Sequence, residues 1–288
     1  MFAVDRLMAR PLRLHVPGMI YHVMSRGNDK QVIFTDDTDY QRYLELLERS
    51  LHRYGIRCLG YCLLGNHLHL LLQPNEHPVS RLMQHVNSAY CQWFNRRHKR
   101  VGHVLQGRYK AVFVEKHDSL RRVLRYIAMN PVAAKRVGDP GAWRWSSYRA
   151  AAGLDSPRCV DVSAVHQAFG TSDPRVAQLA FVHYAAMPAD DPLPARGIFI
   201  GSDAFVRRFE PLLRPHRASD AFVYAERFAA RPSLRELFGD LAPDRSSAAA
   251  AARQAFTDHA YTLREIGEHI RRPATTVWSW IHRSAASR

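Results

Sequence analysis

Residues 57–73, RCLGYCLLGNHLHLLLQ, contain two apolar runs that are separated only by Gly65-Asn66. Two short apolar segments with such a two-residue connection are typical of a β-hairpin. Side chains alternate between the two faces of a strand, so His67 and His69 lie on one face while the leucines between and after them point into the core. The stretch therefore predicts two paired strands that carry two imidazoles side by side next to the turn.

The segments around this hairpin alternate between strand-like and helix-like patterns. Stretches rich in β-forming residues predict two more strands, at Met19–Arg26 and Arg108–Val114. Apolar residues at helical spacing predict three helices: one that begins at Thr35-Asp36-Asp37 and ends at Gly55, one over about Val79–His98, and one that is capped by Asp118 and ends near Asn130 because Pro131 follows. The order strand, helix, strand, strand, helix, strand, helix predicts an α+β fold, with a ferredoxin-like antiparallel sheet and helices on one face.

Three regions follow from this pattern. The predicted sheet and its helices occupy residues 10–153, which we expect to form the first domain. Residues 154–196 are rich in proline, aspartate and alanine with weak periodicity, and predict a connector with about one short helix. Residues 197–288 predict a C-terminal helical region, which includes the alanine run at 248–252.

The end of the C-terminal region resembles a helix-turn-helix over residues 262–282. Thr262-Leu-Arg-Glu265 is a capping box that opens a short helix, Arg271-Arg272-Pro273 is the turn, and a second helix reaches His282. In this interpretation the apolar residues of both helices point inward. The outward side chains are candidates for contacts to DNA bases: Thr275, Thr276, Trp278 and Ser279. The alternative is a helical hairpin that only packs.

The charge of the chain is large and unevenly distributed. The formal net charge is +15, and residues 1–150 hold 24 Lys/Arg against 11 Asp/Glu. The first half is therefore expected to face a polyanion such as nucleic acid. Candidates for backbone contacts in this half are Arg26, Arg96, Arg97, Arg108, Lys110 and Arg125.

The cysteines and the N-terminus indicate a cytoplasmic protein. Cys58, Cys62, Cys91 and Cys159 form no CxxC pair and are interpreted as reduced thiols. The first residues lack the apolar core of a signal peptide, and no apolar run is long enough to span a bilayer. We therefore expect no membrane partner, and the sequence leaves self-association open.

Four polar side chains suggest metal-assisted chemistry. Two imidazoles in an apolar strand cost free energy unless something binds them, and a divalent metal is a suitable ligand. Two histidines cannot complete a structural zinc site, so an open site with one further oxygen ligand fits better than a closed one. Tyr126 and Asn130 are four residues apart in the third predicted helix and share one face. The alternatives are histidines on a solvent-facing edge and a tyrosine that only packs.

Residues 10–150 resemble the single-tyrosine HUH transposases, specifically the REP-associated tyrosine transposases of bacteria. The matching motifs are, in order, PGMIYHV (17–23) with SRGN (25–28), GNHLHLL (65–71), NRRH (95–98), QGRYK (106–110), YIAMNP (126–131) and WSSY (145–148). One departure is Gly65, where the family usually has proline; a two-residue turn should tolerate glycine.

The resemblance implies a metal-dependent DNA strand-transfer enzyme. In such families two histidines and a polar residue one helical turn after the tyrosine hold a divalent metal, Mg²⁺ or Mn²⁺, which maps onto His67, His69 and Asn130. The nucleophile maps onto Tyr126, and the expected intermediate is a 5′-phosphotyrosine. The expected partner is single-stranded or hairpin DNA, with short palindromic repeats as the natural target.

Two other functions remain open from the sequence. One is a non-catalytic DNA-binding regulator that kept the fold, against which the intact histidines, tyrosine and asparagine argue. The other is a replication-initiator or relaxase nickase, which shares the chemistry but is less consistent with the absence of a helicase P-loop from this sequence.

Overall fold

A six-stranded sheet forms the centre of the first part of the protein. The computed structural model describes residues 15–171, 173–188, 195–196, 198–209, 232–239, 245–257 and 261–282, so residues 10–14 of the predicted first domain lie outside the described residues. The strands follow the order β2-β3-β1-β4-β6-β5 across the sheet. Their bounds are β1 Ile20–Arg26, β2 Arg57–Leu64, β3 His67–Gln73, β4 Lys110–Val114, β5 Ala195–Arg196 and β6 Phe199–Ile200. The first four strands pair antiparallel, and β6 adds to β4 in parallel.

The predicted hairpin forms the edge of this sheet. Leu64 and His67 are paired across the turn, so only Gly65-Asn66 lie between β2 and β3. Strand β1 then pairs with the other side of β3, with Met24 opposite His69 and Arg26 opposite His67. The non-local pairing of β1 with β3 therefore brings a second strand alongside the two histidines.

Two long helices cover one face of the sheet. They are α1, Asp37–Tyr54, and α2, Val79–Arg97. Asp36 caps α1 by accepting hydrogen bonds from the backbone N–H groups of Thr38 and Asp39, and Gly55 ends the helix in the left-handed conformation. The Asn87 amide on α2 donates to the Ser25 hydroxyl on β1, which fixes α2 over this face.

The third helix, α3 (Asp118–Ala133), packs on the opposite face, so the expectation of helices on one face is wrong for this element. Apolar residues of α3 share a buried cluster with residues of three strands, among them Ile20, Leu71 and Val114. These strand residues alternate with those that face α1 and α2. The physical reason is that the sheet carries buried apolar residues on both faces, such as Leu68 and Leu70 on one and Leu71 on the other, and each face needs its own cover. The α+β class itself is confirmed.

The ends of α3 differ from the prediction. Asp118 is the first helical residue rather than the cap, and the preceding residue, His117, has a positive φ of 69°. The helix also continues past Asn130, with Pro131 inside its last turn. Proline has no backbone N–H donor. Because Pro131 lies in the last turn of the helix, the loss is confined to a single hydrogen bond. The Ala134 N–H still donates to the Asn130 carbonyl and closes the helix.

The segment interpreted as a connector contributes to the core. Residues 154–196 contain α5, Val162–Gln167, and α6, Pro174–Ala186, after the short helix α4, Tyr148–Ala151. Val165, Phe181 and Ala185 are buried in the same cluster as α3. This part of the chain is therefore packed structure rather than an extended link, and it leads into β5 and β6.

The described C-terminal helices surround a small core of their own. Their bounds are Leu234–Phe238, Arg245–Thr257, Leu263–His269 and Ala274–His282. The predicted capping box of Thr262 and Glu265 is present, with both reciprocal hydrogen bonds. Ile266 and Val277 are fully buried, and Ile270 and Ile281 pack against them. The inward faces that the sequence predicted are thus confirmed.

The chain divides into two compact units. One comprises Arg13–Phe205, and the other includes Val206–Arg288. The unit boundary therefore falls after β6, whereas the sequence pattern predicts the end of the first domain at residue 153. None of the helices in the described part of the chain is long and apolar enough to cross a bilayer.

Candidate functional site

Three histidines, rather than two, meet on the α3 face of the sheet. His67 and His69 lie on this face of β3, with their ring centroids 5.2 Å apart and their planes nearly perpendicular. His22 comes from β1, and its Nε2 lies 2.9 Å from Nδ1 of His69. His22 and His69 are 2% and 5% exposed, so this contact is shielded from solvent.

Helix α3 places Tyr126 over these rings. The phenol ring lies edge-on to His69 at a centroid distance of 5.4 Å, and 5.8 Å from His22. The Tyr126 side chain stays 41% exposed although its neighbours are buried. A phenol that borders a buried imidazole cluster and also faces solvent is open to a large substrate.

Asn130 lies one turn after Tyr126 and reaches toward His67. Its Nδ2 donates to the Tyr126 carbonyl at 2.9 Å, which turns its side-chain oxygen away from the helix backbone. The same side chain raises the pKa of His67, against the larger lowering by burial. The structure therefore brings together all four residues that the sequence selected as nucleophile and metal ligands.

Burial keeps the imidazoles neutral. Desolvation lowers the pKa of His22 to about 4 and lowers the pKa of His69 well below its ordinary value. Desolvation is also the largest cause of the lowered pKa of His67, and the positive charge of Arg26 adds to it. At neutral pH these rings therefore carry lone pairs, which is the form that binds a metal.

The donor set fits an open divalent-metal site. The Nδ1 atoms of His67 and His69 are both engaged, by Asn66 Oδ1 at 2.7 Å and by His22 Nε2, so their Nε2 atoms remain as potential ligands. Among the described residues, no three His, Cys, Asp or Glu side chains converge as a closed metal cage. Two imidazoles and the Asn130 amide oxygen would therefore hold the ion and leave positions for water and substrate.

Two of the predicted DNA-contacting cations lie beside the histidines. Arg26 is opposite His67, and Lys110 is opposite Met24, which is itself opposite His69. Directly opposed residues in a sheet share a face, so both cations flank the imidazoles. Both residues are exposed and can reach a phosphate backbone.

Two other predicted cations are engaged in intramolecular contacts, and their expected contacts with DNA stay a prediction. Arg97 forms ion pairs with Asp36 at 2.8 Å and with the buried carboxylate of Asp39 at 2.6 Å, and so ties the end of α2 to the start of α1. Arg125 donates to the carbonyls of Ala185 and Met187 and so ties α3 to the end of α6. Their charges stabilise the fold.

The remaining predicted contacts are exposed or half-buried within their own units. Arg96 and Arg108 are exposed in the first unit. In the C-terminal unit Thr275 and Trp278 are exposed, while Thr276 and Ser279 are half-buried and the Ser279 hydroxyl donates to the Thr276 carbonyl. Thr275 and Trp278 are thus the two that present most of their surface to solvent.

His22 is the residue of this site that the sequence analysis did not select. It lies in the motif PGMIYHV (17–23), and the alternation of β1 places it on the same face as Met24 and Arg26. Its proximity to His69 depends on which strands pair and in which register. Strand pairing and register are non-local properties of the fold. The alternation within β1 was the only local signal, and it indicates which residues share a face with His22.

The chain has recognisable relatives among protein families and solved structures. Residues 15–130 match the family model described as IS200-like transposase. Among solved structures, a REP-associated tyrosine transposase bound to a REP hairpin is 18% identical, with 54% of this chain and 94% of that chain covered and a TM-score of 0.43. A protein from Deinococcus radiodurans described as a transposase is 15% identical, with 41% and 95% covered and a TM-score of 0.31. No curated protein matches the chain significantly. The match over residues 15–130, which contain every residue of the candidate site, confirms the resemblance of the motifs: this part of the chain is similar to the IS200-like transposases.

Proposed function

We propose that the protein nicks DNA and transfers strands through Tyr126, with a divalent metal, Mg²⁺ or Mn²⁺, bound by His67, His69 and Asn130. The observation that carries this proposal is the edge-on contact of the exposed Tyr126 phenol with the buried, neutral imidazole of His69 at 5.4 Å. Such a contact brings a nucleophile next to a metal-binding group at a surface that DNA can reach.

The chemistry exchanges one phosphate ester for another. The Tyr126 oxygen attacks the scissile phosphorus in line, a bond from the phenol oxygen to phosphorus forms, and the bond from phosphorus to the 3′ oxygen breaks. The phenol proton is balanced by the proton of the new 3′-hydroxyl, so neither a nucleotide nor a redox cofactor is consumed. A bound divalent ion would supply Lewis-acid polarisation of the scissile phosphate. Strand transfer is the same exchange in reverse, with the 3′-hydroxyl of another strand.

The residues around the tyrosine have distinct tasks in this proposal. Arg26 and Lys110 border the imidazoles on the same face of the sheet and neutralise the backbone of the bound strand. Arg125 keeps α3, and with it Tyr126, in place through its bonds to the end of α6. The solvent exposure of Tyr126 leaves room for a phosphodiester above the ring.

The proposed substrate is single-stranded DNA, or the unpaired strand beside a hairpin, in short palindromic repeats. An in-line attack needs access to phosphorus from the side opposite the leaving oxygen, which an unpaired strand provides. The net charge of +15 supports a nucleic-acid partner. Membership in the REP-associated branch rests on the sequence motifs and is part of the proposal.

The C-terminal unit is proposed to read the target sequence. Its helices Leu263–His269 and Ala274–His282 meet at a tight turn, and Thr275 and Trp278 are exposed at the start and middle of the second helix. Side chains near the N-terminus of a second helix are those that contact bases in a helix-turn-helix. A purely packing role of this unit is the alternative.

A non-catalytic DNA-binding regulator remains the second candidate function. It needs the exposed cations but not the cluster of Tyr126, His69 and Asn130, which packing alone does not require. A replication-initiator or relaxase nickase would use the same cluster, so it differs in its target rather than in its chemistry. Cleavage by the purified protein separates the enzyme from the regulator.

The experiment uses a labelled hairpin oligonucleotide with a single-stranded tail. Wild-type protein is expected to cleave the tail in the presence of Mg²⁺ or Mn²⁺, to stop when a chelator is in excess, and to resume when the metal is added back. The control for strand state is the same oligonucleotide with a complementary strand annealed to its tail, because pairing of the tail should suppress cleavage. Cleavage that continues in excess chelator would contradict the metal-dependent mechanism, and binding without any cleavage would favour the regulator.

A further inference from the structure

The amide of Asn66 is held between a backbone carbonyl and the first histidine of the site. Its Nδ2 donates to the Lys30 carbonyl at 3.1 Å, and its Oδ1 lies 2.7 Å from Nδ1 of His67. A carbonyl oxygen only accepts hydrogen bonds, so the NH₂ group must face Lys30 and the amide oxygen must face His67. Because that oxygen carries no proton, His67 Nδ1 is the donor, and the lone pair of the neutral ring is on Nε2.

The loop that supplies the Lys30 carbonyl is tightly folded against the hairpin turn. The Gly27 N–H donates to the Asn66 carbonyl at 2.8 Å, and Lys30 adopts a positive φ of 58°. A Cβ atom on Gly27 would lie only 2.0 Å from the Gln31 carbonyl oxygen, so this position admits only glycine. The backbone of this loop therefore fixes the orientation of the Asn66 side-chain amide.

His22 makes the equivalent contact with the second histidine. Its Nε2 lies 2.9 Å from Nδ1 of His69, and both rings are buried. One of these two nitrogens must donate and the other must accept. If His69 donates from Nδ1, its lone pair is on Nε2, as in His67, and the two ligands present the same atom.

We propose that Asn66 and His22 are positioning residues, which hold His67 and His69 in the Nδ1–H tautomer so that both Nε2 lone pairs are available to the metal. This inference rests on the proposed metal-dependent function. A neutral histidine side chain in water prefers the opposite tautomer, with the proton on Nε2, so the contacts to Nδ1 must overcome this preference. Partners of this kind, which bind the second nitrogen of a metal-ligating histidine, typically change metal affinity by about 10–100-fold when they are removed.

The test compares a removing and a conservative substitution at each position. Asn66→Ala and His22→Phe remove the acceptor, whereas Asn66→Asp and His22→Gln keep an oxygen that can accept from Nδ1–H. Asn95→Ala is the control, because Asn95 is an amide that donates to the Gly102 carbonyl away from the site. All variants are made in the full-length protein, and thermal unfolding reports whether each is folded.

The first readout is the histidine tautomer in the metal-free protein, from long-range ¹H–¹⁵N correlation spectra at pH 8. Wild type is expected to show His67 and His69 as Nδ1–H. Asn66→Ala should shift His67 toward Nε2–H and leave His69 unchanged, and His22→Phe should do the reverse. Asn66→Asp, His22→Gln and Asn95→Ala should keep both tautomers as in wild type.

The second readout is Mn²⁺ affinity by calorimetry. The removing variants are expected to bind about 10–100-fold more weakly, and the conservative variants within a few-fold of wild type. A wild-type His67 or His69 protonated on Nε2, or tautomers that do not change in Asn66→Ala and His22→Phe, would overturn the positioning role. A change of tautomer without a loss of Mn²⁺ affinity would also overturn the positioning role. Failure of wild type to bind Mn²⁺ would instead count against the proposed function, and the spectra of the metal-free protein still decide the tautomers.

Discussion

The candidate site combines groups that are individually ordinary. A buried neutral histidine is common in proteins, and so is a half-exposed tyrosine on a helix. Their combination is unusual because His22, His67 and His69 are on one face of the sheet and Tyr126 covers them from α3. Burial is the largest cause of the lowered pKa of each of these histidines, and the lowered pKa values favour neutral rings at pH 7.

The three proposed metal ligands should differ in importance. His67→Ala and His69→Ala are each expected to lower the rate of cleavage by on the order of 100-fold or more, because a strong imidazole ligand is lost. Asn130→Ala should cost about 10-fold, since water can replace a neutral oxygen ligand. Cleavage rates measured over a Mn²⁺ titration test this order, with His103→Ala, an exposed histidine outside the site, as the control. Equal, small effects of all three substitutions would argue for a packing role.

Much of this site could be predicted from local spacing. The alternation of a strand places His67 and His69 together, and the pitch of a helix places Tyr126 near Asn130, so both pairs are readable within five residues. The contact between the pairs, and the presence of His22, depend on the packing of α3 and on the register of β1 against β3. Those are properties of the folded chain that no short window contains.

At the scale of elements, the ends of α1 and α2 illustrate how adjacent cations acquire different roles. Arg97 faces Asp36 and the fully buried Asp39, whereas Arg96, one residue earlier, points to solvent. A step of one residue turns a helix by about 100°, which is enough to separate a cation that forms ion pairs within the chain from one that is expected to contact DNA. The sequence motif NRRH (95–98) did not distinguish them.

This difference gives a matched pair of substitutions. Arg97→Ala is expected to lower the free energy of unfolding more than Arg96→Ala does, because it removes a partner from a buried carboxylate that keeps its bonds to Thr35 and His98. Arg96→Ala should leave stability within about 0.5 kcal/mol and reduce DNA affinity, with a salt dependence lowered by about one counterion. Denaturant unfolding and binding across a salt series measure both. Equal destabilisation by the two substitutions would contradict the assignment.

The turn of the C-terminal helices depends on Gly267. A Cβ atom at this position would lie 2.5 Å from the Arg272 carbonyl oxygen, so the two helices approach only because the side chain is absent. Gly267→Ala is therefore expected to disrupt this turn and to reduce discrimination between target and scrambled hairpins, with cleavage of the bound target retained. Gly138→Ala is the control, because a Cβ atom there meets nothing. Unchanged discrimination in a variant with a disrupted turn would contradict the sequence-reading role.

At the scale of the whole molecule, the proline- and alanine-rich segment after residue 153 belongs to the first unit. Its weak periodicity predicts only about one short helix, because the buried positions of α6, Ala177, Phe181 and Ala185, are four residues apart but mostly alanine. A buried face made mostly of alanine differs little in hydrophobicity from the exposed face of the same helix. The sequence pattern therefore predicts a connector where a packed helix forms. The contacts that make this helix part of the core are with α3, far away in sequence.

Two truncations test this organisation. A chain that ends at residue 209 is expected to fold, to cleave and to bind DNA with a strong salt dependence, because phosphate contacts carry that dependence, but to discriminate poorly between targets. A chain that ends at residue 153 should be unstable, since it lacks the residues that cover α3, Phe181 and Ala185 among them. Circular dichroism, cleavage and binding measurements on both fragments check this. A stable and active 153-residue fragment would show that α6 is dispensable.

The most direct test of the central claim is the covalent adduct. Wild-type protein, incubated with Mn²⁺ and a labelled hairpin oligonucleotide that carries a single-stranded tail, should form a protein–DNA species that survives denaturation, and mass spectrometry should locate the 5′-phosphate on Tyr126. Tyr126→Phe removes only the hydroxyl and keeps the ring that packs against His22 and His69, so it should fold, bind the hairpin and form no adduct. An adduct that persists in Tyr126→Phe, or one that maps to another residue in wild type, would contradict the account.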